Sequence, residues 1–266
     1  MKHTGWRKPT PGLGIAEQLA QAGEQVAVPK TRAFVAVKRV GAYIGLKAGD
    51  MMLLDTLGAF TQAQDWEEGQ RPIVWASNAY LMEQTGFSLS ALKRHARRLA
   101  EIGVISFQDS PNGKRWGRRD AEGRIVEAYG FDLSPLSARV DEFEGLHAEL
   151  QAERELCQRL KRQITVARRM IRARIEAAIS NALRGPWRQF TGLFEELLDR
   201  LPRRHEASEH LVCLLTWFKE LQERVEAAYL KATGVVKPVE NTDDKHAQVT
   251  KKTQEMNPRE VISEPH

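Results

Sequence analysis

The sequence predicts a mainly α-helical chain built on a winged helix-turn-helix with a β-hairpin as its wing, followed by a long helix and a helical C-terminal region. Three observations carry that expectation. Leu89, Leu92, Ala96, Leu99 and Ile102 recur at steps of three and four behind Ser88, the spacing of a helix with one buried face. From Gly103 to Leu133 the apolar period changes to two around clusters of turn residues, which is the pattern of paired strands. Beyond Pro135, the stretch to Leu183 has no further proline and a single glycine, Gly145, so a helix can run through it without a breaker. Residues 1–134 are assigned to the winged-helix domain with its N-terminal arm, 135–233 to a helical, coiled-coil-like region, and 234–266 to a disordered polar tail.

Element by element, Pro9, Pro11, Gly12 and Gly14 predict an extended arm leading to a helix over Ile15–Ala22. A second helix is expected over Thr31–Gly45. Met51, Leu54, Leu57 and Phe60 then have the spacing of a buried helical face, with Asp50 as its N-cap. Gln64–Pro72 reads as a polar turn and Ile73–Trp75 as a short strand. Ser77 caps a helix over Asn78–Gln84 that Gly86 closes, and Ser88 caps the next, completing a helix-turn-helix. Ile105 and Phe107 open the alternating region. Asp109–Gly113 and Asp120–Gly123 are its turns, Lys114–Arg119 lies between them, and Arg124–Leu133 alternates through Ile125, Tyr129 and Phe131.

Leu146, Leu150, Cys157, Leu160, Ile164, Ala167, Ile171 and Ala178 form an apolar seam on the long helix, interrupted by Glu153 and Arg174. Gly185 and Pro186 end that helix, and two amphipathic helices follow over Trp187–Arg200 and Glu206–Ala232. The seam has two possible partners. A second copy would give a homodimer presenting two winged helices to one DNA. The same chain offers Trp187, Phe190, Leu193, Leu197, Leu214 and Trp217.

Lys and Arg outnumber Asp and Glu by 40 to 35 in 266 residues, for a net charge of +5. The excess is small, but its placement is uneven. Ser88–Arg124 holds nine basic and four acidic side chains, and Arg159–Arg174 holds seven basic and no acidic one. The polar, basic segment Met1–Gly14 lacks the apolar core of a secretory signal. The longest strongly apolar run, Leu211–Phe218, is far short of the ~20 residues that cross a bilayer. A cytoplasmic protein without membrane association is therefore expected. Cys157 and Cys213 stand far apart with no CxxC pairing, which argues against a disulfide framework or a cysteine-rich zinc site.

No enzyme signature emerges. His205 and His210 frame a segment that superficially resembles a zinc-protease helix, but five residues place them about 140° apart on a helix, too far round to share a metal. Gly117, Gly123 and Arg124 lack the spacing and lysine of a phosphate loop. The expectation is a protein with no catalytic residues, no metal and no cofactor.

The basic residues after Gly86 point instead to duplex DNA. An α-helix fits the major groove, where an arginine fork can take guanine O6 and N7 together. On the helix behind Ser88, the exposed Ser90, Lys93, Arg94 and Arg97 are expected at base edges, and Arg98 at phosphate. In the wing, Lys114, Arg115, Arg118 and Arg119 flank Trp116 and would reach the neighbouring backbone, with Trp116 packing on the ribbon. The competing reading of either patch is a solvated cationic face. A basic helix and a basic ribbon side by side favour DNA.

Four strings in this part of the chain resemble one family. The segments TQAQDWEEGQRPIVW from Thr61 to Trp75, DSPNGKRWGRRD from Asp109 to Asp120, EAYGFDLSP from Glu127 to Pro135 and TPGL from Thr10 to Leu13 are similar to the RepC replication initiators of alphaproteobacterial repABC plasmids, over roughly residues 5–180. The resemblance implies a winged-helix domain that recognises a plasmid origin, typically inside the initiator's own gene, and starts replication with host initiator or helicase proteins without catalysis of its own. Family members are usually longer, with a substantial C-terminal domain, whereas this chain offers two helices and a polar tail. Two other functions fit the residues alone: a winged-helix transcriptional regulator, and a helical interaction protein working through residues 136–232.

Overall fold

The computed structural model describes residues 9–202 and 207–234 of the chain. The predicted tail over 234–266 beyond its first residue, the first eight residues of the predicted arm, and His205 with Glu206 lie outside the described residues. The chain is mainly helical with one small antiparallel sheet. The described residues divide into two compact units, those within 1–161 and 206–211, and those within 162–205 and 212–266.

The first unit opens with α1 (Pro11–Glu24). This helix starts four residues earlier than predicted. Thr10 Oγ1 accepts the Leu13 N–H at 3.4 Å, and Pro11 occupies the first turn, where its missing N–H has no intrahelical partner to lose. Helices α2 (Lys30–Val40) and α3 (Ala48–Phe60) follow. Asp50 is not the cap of α3 but sits within its first turn, where its carboxylate accepts the N–H of the capping residue Lys47 at 2.8 Å. A 3₁₀ turn over Ala63–Trp66 leads to strand β1 (Ile73–Val74).

Helix α4 (Asn78–Thr85) is capped by the Ser77 side chain, and α5 (Leu89–Glu101) by that of Ser88. Between them Gly86 turns the chain at φ 69°, a left-handed conformation glycine adopts without strain. Strands β2 (Ser106–Gln108), β3 (Trp116–Arg119) and β4 (Ile125–Asp132) complete the sheet, and α6 (Ser134–Ala138) and α7 (Val140–Ser180) follow. The helix predicted to be continuous from Pro135 is interrupted at Arg139. Arg139 Nη1 donates to the Ile102 carbonyl at 2.7 Å and to that of Gly103 at 3.2 Å, meeting the carbonyls left over where α5 ends.

Strand β4 is the hub of the sheet. Its last residues pair with β1, in register Ile73 to Asp132 and Val74 to Phe131, and with β2, Ser106 to Asp132 and Phe107 to Phe131. Its first half pairs with β3, from Trp116 opposite Tyr129 to Arg119 opposite Ile125, with an irregularity between Arg118 and Arg119. Behind the sheet, Leu53, Leu54 and Leu57 of α3, Leu81 of α4 and Leu99 of α5 are fully buried with Ile105, Leu133, Leu136 and Phe143. Helix α1 crosses α6 so closely that a Cβ on Gly23 would overlap the backbone carbonyl of Ser134. A Gly23→Ala chain should therefore lose about 1–3 kcal/mol of stability, because backbone rather than a movable side chain blocks the methyl. A shift of the urea midpoint would measure it.

In the second unit, Ile164, Ala167, Ile171, Ile175 and Ala178 of α7 are no more than 5% exposed. Helices α8 (Trp187–Asp199) and α9 (Ser208–Thr233) supply their company. Phe194 meets Phe218 edge-on at 6.4 Å, Trp187 meets Tyr229 at 6.5 Å, and Arg174 Nε donates to Glu226 at 2.7 Å. Of the two partners open to this stretch of the seam, the same chain is the one observed.

Candidate nucleic-acid interface

Helix α5 owes its orientation to one buried face and one buried acid. Leu92, Ala96, Leu99 and Ala100 turn into the core. Asp50, with no exposed surface, has His95 Nδ1 at 2.7 Å and Arg98 Nη1 at 3.8 Å, and the His95 ring stacks on Phe87 at 4.8 Å. These contacts tie α5 to the start of α3. Arg98 is consequently only one-third exposed and directed toward an internal carboxylate.

The opposite side of α5 presents Ser90, Lys93, Arg94 and Arg97 to solvent. Among the described residues, neither Lys93 nor Arg94 has an acid at ion-pair distance. Arg97 Nε donates to Glu101 at 2.8 Å across one exposed helical turn. Such a pair is worth only about 0.3–0.5 kcal/mol, so a phosphate or base can replace it.

The ribbon does not present its four predicted cations, Lys114, Arg115, Arg118 and Arg119, on one surface. The β3–β4 turn is Asp120–Gly123, which carries two acids and closes through Asp120 Oδ1, acceptor of the Arg124 N–H at 2.7 Å. Gln64 Nε2 donates to the Gly123 carbonyl at 3.2 Å, so the tip is docked on the 3₁₀ turn. Arg119 belongs to that docking. Its Nη1 and Nη2 donate to the two oxygens of the buried Asp65 at 2.6 and 2.8 Å, and Nη1 also reaches Gly123. The carboxylate holds the Arg119 proton more tightly than usual. With 17% of its side chain exposed, Arg119 is a fold contact rather than an open cation.

Arg118, one residue earlier, is exposed across the strand from Glu127. Val126 is the extra residue that the irregularity leaves unpaired opposite Arg118 and Arg119. Trp116 lies against Tyr129 at 5.3 Å, consistent with a packing role on the ribbon.

Lys114 and Arg115 sit in the β2–β3 connection, beside α5. Ser110, Asn112 and Gly113 shape that connection through hydrogen bonds that include Lys114 N–H to Asn112 Oδ1 at 3.1 Å. Arg115 donates to Asn78 Oδ1 at 2.5 Å, at the start of α4, and lies 4.5 Å above the Phe131 ring. Between this connection and α5 runs a cleft of about 740 Å³. Lys93 and Arg97 line it from α5, Lys114 and Arg115 from the connection, Ser77 and Asn78 from the start of α4. Its floor is Leu13, Leu92, Ala96, Phe107 and Phe131. Four of the nine predicted cationic and polar residues thus meet around one groove. Ser90, Arg94 and Arg118 remain exposed outside its lining, while Arg98 and Arg119 face internal acids.

Of the residues that fix this arrangement, sequence reasoning gave Asn78 no site role, read the buried Asp50 only as a helix cap, and did not single out the buried Asp65 and Asp132. Asp50 anchors α5, Asp65 anchors the ribbon, and Asp132 at the end of β4 receives Arg71 together with the Ser134 N–H and hydroxyl, at 2.9 and 2.6 Å. Burial pushes the Asp132 carboxyl up, against the opposing pull of Arg71 and Ser134. Each acid stands beside an apolar or turn residue that hints at burial, but the arginine it meets lies tens of residues away.

Among the described residues, no group of three or more His, Cys, Asp or Glu side chains is placed to hold a metal ion, and no helix is long and apolar enough to cross a membrane. The family described as Replication protein C N-terminal domain matches residues 7–179. A relative from Rhizobium rhizogenes, provisionally named replication protein C, is 35% identical over 161 residues, which cover 60% of this chain and 40% of the relative. A second, from Sinorhizobium fredii (strain NBRC 101917 / NGR234) and named likewise, is 31% identical over 201 residues, covering 75% of this chain and 50% of its own. The matches thus span half or less of the length of these relatives. No solved structure matches. Since the family match takes in well over half of the chain and every residue lining the cleft, the protein belongs to the replication protein C family, through its N-terminal domain.

Proposed function

We propose that this chain is a plasmid replication initiator that binds origin DNA sequence-specifically through a winged helix and brings host initiator or helicase proteins to the site. In this reading α4 and α5 are the helix-turn-helix, and α5 enters the major groove with Ser90, Lys93, Arg94 and Arg97 toward base edges. The ribbon is the wing. Its working cations are Lys114 and Arg115 in the β2–β3 connection and Arg118 on β3, while Arg98 and Arg119 hold the scaffold. A phosphate beside the cleft would find Arg115, Lys114 and the first N–H groups of α4, a favourable anion setting. The protein acts in the cytoplasm, without catalysis, metal or cofactor of its own. A homodimer would have to form around the partly exposed Leu146 and Leu150 end of the α7 seam, because its residues from Cys157 to Ala178 are buried within the chain.

The observation that carries the proposal is the convergence of Lys93 and Arg97 with Lys114 and Arg115 on one cleft. Such a groove neutralises phosphates from two elements at once, releasing condensed counterions. If six phosphates are engaged, the log of affinity should fall against log salt with a slope of about −5. Fluorescence anisotropy with duplex DNA measures that slope, and footprinting on DNA spanning the protein's own coding region locates the origin. A salt-independent affinity, or no protected segment, would remove the proposal.

A further inference from the structure

The cations of α7 are not used by the winged-helix reading. From residue 156 to residue 175 this helix carries no Asp or Glu, although six acids crowd its first sixteen residues. In the second unit, burial of Ile164, Ala167, Ile171, Ile175 and Ala178 defines the inner side. Arg162, Thr165, Arg169 and Arg172 follow at steps of three, four and three along another side, and all four are exposed. The row is about 15 Å long and ends one turn on, at Glu176.

Two neighbours of the row are placed differently. Arg174 is paired with Glu226 and lies 4.8 Å above the Tyr229 ring. Arg168 is half-buried, with its Nε inside the fold. Arg169 and Arg172 have neither arrangement. Among the described residues no acid lies at ion-pair distance from them, and the Arg172 guanidinium rests 5.9 Å from the Phe194 ring, which leaves its charge uncancelled. Arginines three or four apart repel along a helix, so segregation of one sign costs the fold something. Surface helices stabilised by their own charges alternate sign instead.

We infer that this row is a second nucleic-acid surface, contacting the phosphate backbone without reading bases. Arginine forks suit phosphate oxygens. An acidic protein partner would also meet the charge and could use the exposed Val166 and Met170 beside the row, but the four row positions themselves are polar or cationic, which suits a phosphate backbone better than a desolvated protein interface. The inference extends the DNA reading of the first unit to the second, and its test separates the two.

The full-length chain, its Arg169→Ala/Arg172→Ala variant, its Arg169→Lys/Arg172→Lys variant and an Arg94→Ala/Arg97→Ala variant would each be titrated with a duplex from the protein's own coding region and with a scrambled duplex, over a range of salt. The alanine pair on α7 should bind both duplexes about tenfold more weakly. Its salt slope should be shallower by about 1.8, because two phosphates are no longer neutralised, with the ratio between duplexes unchanged. The lysine pair should restore affinity and slope, since the charge is kept. Unchanged affinity and slope in the alanine pair, with binding lost in the α5 variant, would overturn the α7 surface and leave the winged-helix reading standing. A changed ratio between duplexes, or failure of lysine to rescue, would also overturn it. Absence of salt-dependent binding by the unaltered chain would remove both readings together.

Discussion

Arg119→Met should destabilise the first unit by about 3–5 kcal/mol, the scale found when one partner of a buried ion pair is removed. The acid left behind, Asp65, has no exposed side-chain surface and would keep only the Gln62 N–H at 2.8 Å as a donor. Asp65→Asn should cost less, about 1–3 kcal/mol. Arg119 retains 17% exposure and the Gly123 carbonyl at 2.6 Å, so water and backbone partly replace the missing carboxylate. Arg118→Met, one residue away on the exposed side, should leave stability within about 0.5 kcal/mol. Hydrogen exchange of the β3 and β4 amides is the suitable measurement, because it reports this unit whatever the second unit does. Equal tolerance of the Arg118 and Arg119 replacements would show that the Asp65 clamp does not hold the ribbon.

That contrast between neighbouring arginines marks where sequence reading ends. Ser77, Gly86 and Ser88 bound α4 and α5 in both sequence and structure, because caps and a left-handed glycine are local chemistry fixed within three or four residues. The apolar stripe of α5 was legible for the same reason: periodicity states which face is inside. It does not state what a basic residue at the boundary meets. Arg98 and Arg119 differ from Arg94 and Arg118 only in that Asp50 and Asp65, distant in sequence, arrive beside them. The ribbon shows the same limit. Its strands and turns follow from alternation and turn residues, yet the docking of its tip on the 3₁₀ turn, and the shift of Lys114 and Arg115 to the cleft, depend on contacts across more than thirty residues. The start of α1 was missed although its chemistry is local. Pro11, read as extending an arm, also fits the first turn of a helix, and Thr10 decides between them.

Changing arginine to lysine on α5 should remove sequence preference while leaving charge-driven binding in place. If Arg94 or Arg97 grips a guanine with both arms of its fork, that contact discriminates against a wrong base pair by about 1–3 kcal/mol. Lysine keeps the positive charge and reaches a phosphate equally well, but it cannot reproduce the planar pair of donors. The Arg94→Lys/Arg97→Lys chain should therefore bind a scrambled duplex as the unaltered chain does, with the same salt slope. Its preference for its own origin should fall by roughly tenfold or more for each arginine that reads a base. Lys114→Ala with Arg118→Ala should do the reverse, lowering affinity for both duplexes alike and flattening the slope by about 1.8. The two outcomes cannot arise from one nonspecific basic surface, on which only charge would count. Paired titrations of these variants with the two duplexes would separate them. If the lysine pair kept full preference for the origin, α5 would not be the element that reads sequence, and the cleft beside it would be left with phosphate contacts alone. The Glu101 pairing of Arg97 adds a check within the same experiment, since Glu101→Gln frees that guanidinium and should change affinity by no more than the few tenths of a kcal/mol an exposed helical pair supplies.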